Sequence, residues 1–276
     1  MNFTHSAVTI LAYLFLLYPA KNDNRNATST ADVVITYTGN MGTLITSKSN
    51  QILIDGMHLK YYDDYVNPPQ QTLDSMIAGK GAYNIQLLLF THRHRDHFNP
   101  VPVKQYLSLG KKNLVMASKQ VCDSLAEDKN TTPYSSQQIL VAENQSNYVL
   151  SKNCSIEPLF IPHTWAERHS ATINYTYIIT INGKKIIHFG DAHIDEATFQ
   201  KAGLDKLTFD AAIVPVWFLG NASASVTKKY IHTKQLIVTH ISPLEKEFTA
   251  KARANASKYN LNAIFFSELF QQAIIK

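Results

Sequence analysis

Short apolar runs separated by turn residues fill the first part of the chain, and they predict a β-sheet. Residues 32–38, 43–46 and 51–54 are rich in β-branched side chains and are divided by turn-forming glycine, serine and asparagine. This pattern indicates a β-meander. Residues 85–90 are almost continuously apolar, which is typical of a strand covered on both faces.

Helix signals alternate with the strands along the rest of the chain. Asn99 followed by Pro100 is typical of a helix start, so a helix is expected directly after the apolar strand. The other predicted helices cover residues 70–78, 118–128, 195–202, 225–230 and 244–259. Further strands are predicted at residues 113–116, 139–142, 148–150, 156–161, 211–214, 236–239 and 263–266.

A hairpin is the clearest local signal of the second half. Residues 173–181 and 184–189 are apolar and β-branched, and the Asn182-Gly183 pair between them suits a type I′ turn. We find no repeat of fixed period and no linker that divides the chain. Because both halves have a similar strand and helix content, we predict one α/β domain built as a sandwich of two sheets.

The N-terminus has the pattern of an export signal. Residues 7–18 are apolar and uncharged, and the small Ala20 follows near a plausible cleavage point. We therefore predict a signal peptide at residues 1–20, a flexible polar leader at 21–31 and one folded domain at 32–276. The mature protein would be periplasmic or secreted, without stable membrane insertion. Because the first five residues contain no lysine or arginine, an uncleaved N-terminal anchor is the alternative.

Composition narrows the class of protein and of partner. With 45% hydrophobic and 17% charged residues the chain is globular in type. The net charge is +5, yet no run of lysine and arginine marks a nucleic-acid-binding arm, so nucleic acid is not an expected partner. The basic charge favours a small anionic substrate. Cys122 and Cys154 leave open one disulfide or two buried thiols, and the sequence gives no oligomeric state.

Metal-type ligands concentrate where the predicted strand 85–90 ends. His92, His94, Asp96 and His97 follow it before the helix start at Pro100. Imidazole and carboxylate groups are the ligands that zinc and several other transition metals accept in proteins. Because loops between strands and helices carry the chemistry of many α/β folds, this cluster predicts a metal site.

Other apolar strands end in the same kind of residue. Asp55, His163, Asp191 and His240 each follow a predicted strand. Each of them alone has an ordinary structural explanation, as a turn-forming aspartate or a hydrogen-bonded histidine. Since the ends of neighbouring strands meet at one edge of a sheet, their joint occurrence predicts one pocket lined by all of them.

The spacing of these residues favours two ions. Side chains two positions apart in an extended segment point the same way, so His92 and His94 are expected to share one ion. Asp96 and His97, further round the loop, are then free to face a second ion. A catalytic zinc ion takes about three protein ligands. The whole candidate set therefore suits two ions better than one, and it comprises His92, His94, Asp96, His97, His163, Asp191 and His240.

The pattern His92-x-His94-x-Asp96-His97, in order with the other strand-end residues, resembles the metallo-β-lactamase superfamily. Residues 36–55 and the Ile-Ile-His-Phe-Gly-Asp segment that ends at Asp191 look most like the small bacterial hydrolases of its lactonase-like branch. The resemblance implies an α/β fold, the αββα four-layer sandwich of two mixed β-sheets flanked by helices, with a dinuclear site on one edge. It implies His92, His94 and His163 as ligands of one ion, Asp96, His97 and His240 as ligands of the other, Asp191 as a bridge and Asp55 as a residue that orients the ligands from behind.

Three features qualify this resemblance. Neither cysteine falls at a ligand position, unlike in the commonest zinc β-lactamases. His169 lies close to His163 and competes with it as the third histidine ligand; His163 is favoured because it directly follows a strand. Arg93 and Arg95 alternate with the ligands and are expected to point away into solvent.

Metal-assisted hydrolysis is the predicted activity. Two divalent ions, Zn²⁺ by preference with Mn²⁺ or Fe²⁺ as alternatives, would lower the pKa of a bridging water and polarise the bond to be cleaved. We expect an exported hydrolase that cleaves an ester, lactone, amide or phosphodiester bond in a small, anionic substrate. The alternative is a non-catalytic metal-binding or interaction module on the same fold.

The predicted catalytic residues are Asp96, Asp191 and His193. His193 is a candidate proton donor for the leaving group, with a water held by Asp96 as the alternative. Side chains just past strand ends are candidates for the wall of an apolar substrate pocket, with core packing as the alternative for at least one of them; these are Trp165, Trp217 and Phe218.

Overall fold

The computed structural model describes residues 32–110, 112–127 and 134–276. The predicted signal peptide (1–20) and polar leader (21–31) lie outside the described residues, so both stay predictions. Within the described ranges no helix is long and apolar enough to cross a bilayer. The strands form two sheets of seven strands each, which confirms the predicted two-sheet sandwich.

The first sheet contains mainly strands from the N-terminal half. Its order is β14-β1-β2-β3-β4-β5-β6. Neighbours from β14 to β3 are antiparallel, whereas β3, β4, β5 and β6 run parallel, so the sheet is mixed. The strands are β1 Val33–Gly39, β2 Gly42–Thr46, β3 Gln51–Ile54, β4 Leu87–Phe90, β5 Leu114–Ala117, β6 Ile139–Val141 and β14 Gln272–Ile275.

The second sheet has the same plan. Its order is β13-β12-β11-β10-β9-β8-β7. The strands β7 to β10 are antiparallel neighbours, and β10 to β13 are parallel. The strands are β7 Tyr148–Ser151, β8 Cys154–Phe160, β9 Tyr175–Ile181, β10 Lys184–His188, β11 Thr208–Pro215, β12 His232–Thr239 and β13 Ala263–Phe265.

Helices cover the outer faces of both sheets. Apolar residues of the first three helices pack on the first sheet, and those of α6 and α7 belong to the cluster on the second sheet. The helices are α1 Gln70–Ala78, α2 Pro100–Leu109, α3 Lys119–Glu127, α4 Ala166–His169, α5 Glu196–Lys201, α6 Ser223–Tyr230 and α7 Lys246–Lys258. The layers are therefore helix, sheet, sheet and helix, as the resemblance implied.

Strand β4 shows why this sequence needs both layers. Leu87 and Leu89 face the core between the sheets, while Leu88 and Phe90 face helices α1 to α3. All four side chains are fully buried. Successive side chains of a strand point to opposite faces, so a strand apolar at every position is stable only when both faces are covered.

Local signals placed several element ends correctly. Asn99 caps α2, since its side chain accepts a hydrogen bond from the Val101 amide at 3.0 Å. Asn182 and Gly183 both have positive φ, 48° and 75°, as the type I′ turn between β9 and β10 requires.

Two elements were not predicted from the sequence. Strand β14 pairs with β1 from the opposite end of the chain. The short helix α4 follows Trp165, whose φ of 49° lies in the left-handed region. Both depend on contacts that the local pattern does not show.

The two cysteines do not pair. Cys122 is partly buried in α3 and Cys154 is buried in β8, and both are free thiols. Burial raises the pKa of each thiol to about 12, so neither is a reactive thiolate at neutral pH. Of the two alternatives left open by the sequence, the structure therefore shows the unpaired thiols.

Candidate metal centre

The predicted ligands converge on one edge of the sandwich. His92 follows β4, His163 follows β8, Asp191 follows β10 and His240 follows β12. A single backbone bridge between His163 and Ala192 joins two of these strand ends. The positions that the sequence scatters over most of the chain therefore share one site.

A first group of ligand atoms comes from three histidines and one aspartate. His92 Nε2 lies 3.0 Å from His94 Nδ1. The ring centroids of His163 lie 4.7 Å from those of His92 and 4.8 Å from those of His94. With Asp191 included, the candidate ligand atoms all lie within 4.8 Å of one another. This is a spacing that one ion can fill.

A second group lies beside the first. Asp96, His97 and His240 also have ligand atoms within 4.8 Å of one another. The Asp96 Oδ2 atom is 3.4 Å from His97 Nε2 and 3.4 Å from His240 Nε2. The two groups separate His92 and His94 from Asp96 and His97, as the motif spacing predicted, and His163 and His240 lie in the groups that the resemblance implied.

Asp191 contacts both groups. Its Oδ2 atom is 3.7 Å from His163 Nε2 and 3.6 Å from His240 Nε2, and its Oδ1 atom is 3.3 Å from His97 Nε2. The backbone holds this carboxylate in place, because the Asp191 carbonyl accepts from the Thr164 amide and the Asp191 amide donates to the Asn174 side chain. One carboxylate between two groups is positioned as a bridging ligand would be.

Hydrogen bonds at the far ring nitrogens orient several imidazoles. The Nδ1–H of His163 donates to the Thr164 carbonyl at 2.6 Å, which leaves its Nε2 lone pair for the cluster. His94 has the opposite arrangement, with Nε2 at 3.3 Å from Thr172 Oγ1 and Nδ1 facing His92. Such contacts fix the tautomer and the ring orientation of metal-binding histidines.

Asp55 acts from behind the cluster. Its carboxylate is fully buried and accepts hydrogen bonds from the Thr91 amide at 2.8 Å, the Thr91 hydroxyl at 2.6 Å and His97 Nδ1 at 2.9 Å. Thr91 Oγ1 also lies 3.1 Å from His92 Nδ1. The Asp55 carboxylate therefore orients one imidazole of each group, that of His97 directly and that of His92 through Thr91. This is the position that the resemblance implied for Asp55.

Asn40 is a site residue that sequence reasoning missed. Its side-chain amide donates to Asp96 Oδ2 at 3.0 Å, and its carbonyl accepts from the His240 amide at 2.9 Å. It therefore ties two members of the second group together. From the sequence, Asn40 is expected only to form the turn between β1 and β2. Its positive φ of 45° is the one local sign of a special position.

Gly190 is required for the approach of two strand ends. It has a φ of 59°, and a Cβ at this position would lie 2.5 Å from Thr91 Cβ. Only glycine allows this backbone conformation at this distance without displacement. The contact brings Asp191 against the end of β4.

Four buried donor or acceptor atoms of the cluster have no protein hydrogen-bond partner. They are His97 Nε2, His163 Nε2, Asp191 Oδ1 and His240 Nε2. Unpaired buried polar atoms are costly. Imidazole nitrogens and a carboxylate oxygen directed at shared space fit divalent cations, because a cation bonds to all of them at once. The residues present thus fit a metal centre.

The sequence of residues 34–240, well over half of the chain, matches the model of the beta-lactamase superfamily domain. The chain belongs to the beta-lactamase superfamily. The predicted resemblance to metallo-β-lactamase-fold proteins is therefore confirmed at the level of the superfamily. A search of curated proteins finds no match to this chain.

Solved structures show the same fold at low sequence identity. Igni18, a metallo hydrolase from Ignicoccus hospitalis, is 16% identical with a TM-score of 0.58, covering 89% of this chain and 99% of that one. The metallo-beta-lactamase fold protein YhfI from Bacillus subtilis is 12% identical, with a TM-score of 0.60 and coverage of 88% and 99%. An isothiocyanate hydrolase from Delia radicum gut bacteria is 12% identical, with a TM-score of 0.61 and coverage of 88% and 98%. At these identities the likeness establishes the fold alone.

In this beta-lactamase superfamily member the imidazoles of the first group are held neutral. Burial lowers the pKa of His92 well below its ordinary value and lowers that of His94 to about 4. Burial also lowers the pKa of His163, although Asp191 opposes the effect. Neutral imidazole is the form that binds a metal ion, so this group is prepared for one.

The second group has the opposite electrostatics. Burial disfavours the charged form of His97, yet Asp191, Asp96 and Asp55 together raise its pKa well above the ordinary value. Burial is likewise outweighed at His240, where Asp191 and Asp96 raise the pKa. The pKa values of Asp96 and Asp191 are lowered by these histidines against the effect of burial. Without a metal ion, protons balance the carboxylates here.

The competing candidates occupy distinct positions. His163 belongs to the first group, whereas the His169 ring lies beside it, 4.7 Å from that of His94 and 4.8 Å from that of His163.

His193, the candidate proton donor, lies away from the cluster. Its Nε2 atom pairs with Asp195 Oδ2 at 2.6 Å near the start of α5, and it does not line the cavity. The structure therefore gives no support to His193 as the proton donor.

A cavity of about 690 Å³ opens over the ligand cluster. Aromatic side chains line it, including Trp165 and Trp217, whose ring centroids are 5.2 Å apart. Phe218 is fully buried and packs against Phe189 and Phe199. Two of the three predicted wall residues therefore border the cavity, and Phe218 belongs to the core.

Arg93 and Arg95 are exposed, as expected, but both also line the mouth of this cavity. The expectation that they point away from the site is wrong. The reason is that the chain turns at residues 95–97, where the His97 and Phe98 amides donate to the His94 carbonyl, so side chains between the ligands still border the opening.

Proposed function

We propose that this protein is an exported hydrolase that holds two divalent metal ions and cleaves an ester, lactone, amide or phosphodiester bond in a small substrate. The observation that carries the proposal is the set of buried, unpartnered ligand atoms of His97, His163, Asp191 and His240, directed into the same space below an open cavity. Two groups with one carboxylate between them support two ions instead of one.

Zinc is the ion that best suits the donor set. Nitrogen ligands outnumber carboxylates, which favours zinc over the oxygen-preferring magnesium and calcium. Mn²⁺ and Fe²⁺ also accept imidazole and carboxylate ligands and remain the alternatives. His92, His94 and His163 would hold one ion, Asp96, His97 and His240 the other, with Asp191 shared.

Bound ions of this kind supply a water of lowered pKa and polarise the oxygen of the bond to be cleaved. The residues of the chain supply orientation. Asp55 and Thr91 fix the rings of His97 and His92, and Asn40 fixes the Asp96 carboxylate. Trp165 and Trp217 form an aromatic wall on one side of the cavity, where the apolar part of a substrate could pack.

The leaving-group proton is best assigned to a water held by Asp96. This carboxylate lines the cavity, whereas His193 does not. Burial raises the Asp96 pKa, but the neighbouring histidines outweigh this effect and hold it well below its usual range, so the group stays ionised. It would orient the water by accepting a hydrogen bond, and that water would donate the proton to the leaving group and become hydroxide. His193 is free of this role because its imidazole is engaged by Asp195.

Hydrolysis of class-specific probes by the metal-loaded protein tests the proposal. We expect turnover of one probe among a phosphodiester, a lactone, an aryl ester and an aryl amide, and loss of that turnover after chelation and in the His92→Ala variant. Asp205→Ala, an exposed aspartate outside the cavity, is the matched control and should retain turnover. A protein that binds two ions per chain but cleaves none of the probes would instead support the metal-binding module.

Export is tested separately by the mass of the protein recovered after expression with its full N-terminus. Loss of about the first 20 residues is expected for a cleaved signal peptide. Retention of these residues in a membrane fraction would favour the anchor.

A further inference from the structure

Two arginines at the mouth of the cavity have no assigned task. Arg93 and Arg95 lie between the metal ligands, are exposed and line the opening. Among the described residues neither guanidinium forms an ion pair within 4.0 Å. Asp64 and Glu245 also border the cavity, and neither carboxylate lies within 4.0 Å of these guanidinium groups. The guanidinium donors are therefore free to bind a ligand.

An apolar surface faces the same space. Trp165 is 56% exposed although it is large and apolar, and it packs against Trp217. Its φ of 49° is unusual for a bulky residue, and strained residues of this kind concentrate at functional sites. Trp217 in turn lies 4.9 Å from the His240 ring, so the indole wall runs down to the metal ligands.

The two features together describe one chemical class of ligand. An indole pair offers flat apolar area to an aromatic or other apolar group. Arginine binds carboxylate or phosphate oxygens through two parallel hydrogen bonds. A ligand that contacts both the tryptophans and the arginines would have an apolar ring or chain at one end and an oxyanion at the other.

We propose that the substrate is a small aromatic oxyanion whose ring packs on Trp165 and Trp217 and whose anionic group is bound by Arg93 and Arg95. This inference rests on the proposed function, because it assumes that the cavity above the ligand cluster is the substrate site. It assigns the two arginines to specificity, a role separate from the chemistry of the ions.

Intrinsic fluorescence gives a direct test, because Trp165 and Trp217 are the only tryptophans of the chain. The probes are 4-phenylbutyrate and its neutral analogue 4-phenyl-1-butanol, which share the ring and the four-carbon chain and contain no bond that hydrolysis would cleave. Titration of the metal-loaded protein is expected to quench the fluorescence with both, and the carboxylate should bind at least about tenfold more tightly than the alcohol. Higher ionic strength should reduce this preference.

Variants separate the contribution of the arginines to binding from that of the tryptophans. In Arg93→Ala/Arg95→Ala the preference for the carboxylate should fall to about one, while the alcohol binds as before. Trp165→Leu should weaken both probes alike and leave the preference unchanged. Arg168→Ala, an exposed arginine on α4 that does not line the cavity, is the matched control and should behave like the parent protein.

Two results would overturn the inference. An undiminished carboxylate preference in the double arginine variant would mean that the bound ions, and not the arginines, hold the anion. Equal binding of the two probes to the parent protein would mean that the cavity does not select anions. Because binding is measured without turnover, arginine-dependent selection in a protein that cleaves none of the hydrolysis probes would count against the proposed function. The aromatic oxyanion would then be a bound ligand of the cavity and not a substrate.

Discussion

The two ligand groups of the cluster lie side by side but are prepared for metal in different ways. In the first group burial lowers the pKa of His92, His94 and His163, so their imidazoles are neutral near pH 7. In the second group carboxylates raise the pKa of His97 and His240 despite burial, so these rings hold a proton more tightly than an ordinary imidazole does. A metal ion would bind the first group without displacing protons, whereas it would have to displace protons from the second group.

This contrast arises from where the carboxylates lie. Asp96 and Asp55 both contact His97, at 3.4 Å and 2.9 Å, while the first group has only Asp191, at 3.9 Å from His92 and 3.7 Å from His163. A site rich in carboxylate attracts cations strongly but also attracts protons. We therefore expect the two ions to differ in affinity and in their dependence on pH.

Removal of the shared carboxylate should have the largest effect. Asp191→Ala takes a ligand from both groups, so the bound metal should fall from two ions per chain to one or none. Hydrolysis should fall by at least about a thousandfold, since metal activation supplies several kcal/mol of transition-state stabilisation. Metal analysis and turnover of the same preparation measure both, and an Asp191→Ala protein that keeps two ions would remove the basis for a shared ligand.

Gly190→Ala tests the joint between the two strand ends. The new Cβ would meet Thr91 Cβ at 2.5 Å with φ at 59°, so we expect a loss of about 2–5 kcal/mol in the free energy of unfolding. Gly183→Ala is the matched control, because its φ is 75° but nothing lies within 4 Å of the added Cβ. It should cost only about 1–2 kcal/mol by denaturant unfolding. Equal losses would show that the Thr91 contact is unimportant.

Asp55→Asn should weaken metal binding by the second group more than by the first. The neutral amide accepts a weaker hydrogen bond from His97 Nδ1 than the carboxylate does, so the second ion should bind about 10- to 100-fold more weakly. The first ion should be affected less, because Asp55 contacts His92 only through Thr91. Competition with a metallochromic chelator measures each step. Asp63→Asn, which changes an exposed aspartate, is the control; a loss of the first ion alone would reverse the assignment.

Smaller changes should distinguish the groups by their supporting residues. Asn40→Ala removes the amide that holds Asp96 and should weaken the second ion about tenfold. Thr172→Val removes the contact at 3.3 Å to His94 and should weaken the first ion only a few-fold, as a neutral hydrogen bond contributes about 1 kcal/mol. Titration calorimetry of both variants checks which binding step each one changes.

The sequence predicted the candidate ligands, and Asp55 behind them, because these residues are tied to local signals. Asp55, His92 and His240 directly follow apolar strands, and parallel packing then brings strand ends to one edge. Fold and ligand set follow from this regularity. The division of His92 and His94 from Asp96 and His97 follows from spacing within one short loop.

The residues that support the candidate ligands could not be predicted, because their partners are distant in the sequence. Asn40 contacts Asp96 across 56 positions of the chain, and Thr91 contacts Asp55 across 36. Nothing in the local pattern of either residue indicates these partners. Strand β14 was missed likewise, since it pairs with β1 at the far end of the chain. The orientation of Arg93 and Arg95 was predicted wrongly because an extended segment was assumed where the chain turns.

The number of bound ions as a function of pH tests the central claim most directly. Protons compete where the folded pKa is raised, so the second ion should be released first as the pH falls, while the neutral imidazoles of the first group keep theirs. Equilibrium dialysis with metal analysis is expected to give two ions per chain at about pH 8 and one at about pH 5.5. Less than one ion per chain at the higher pH, or loss of both ions in a single step, would contradict the claim.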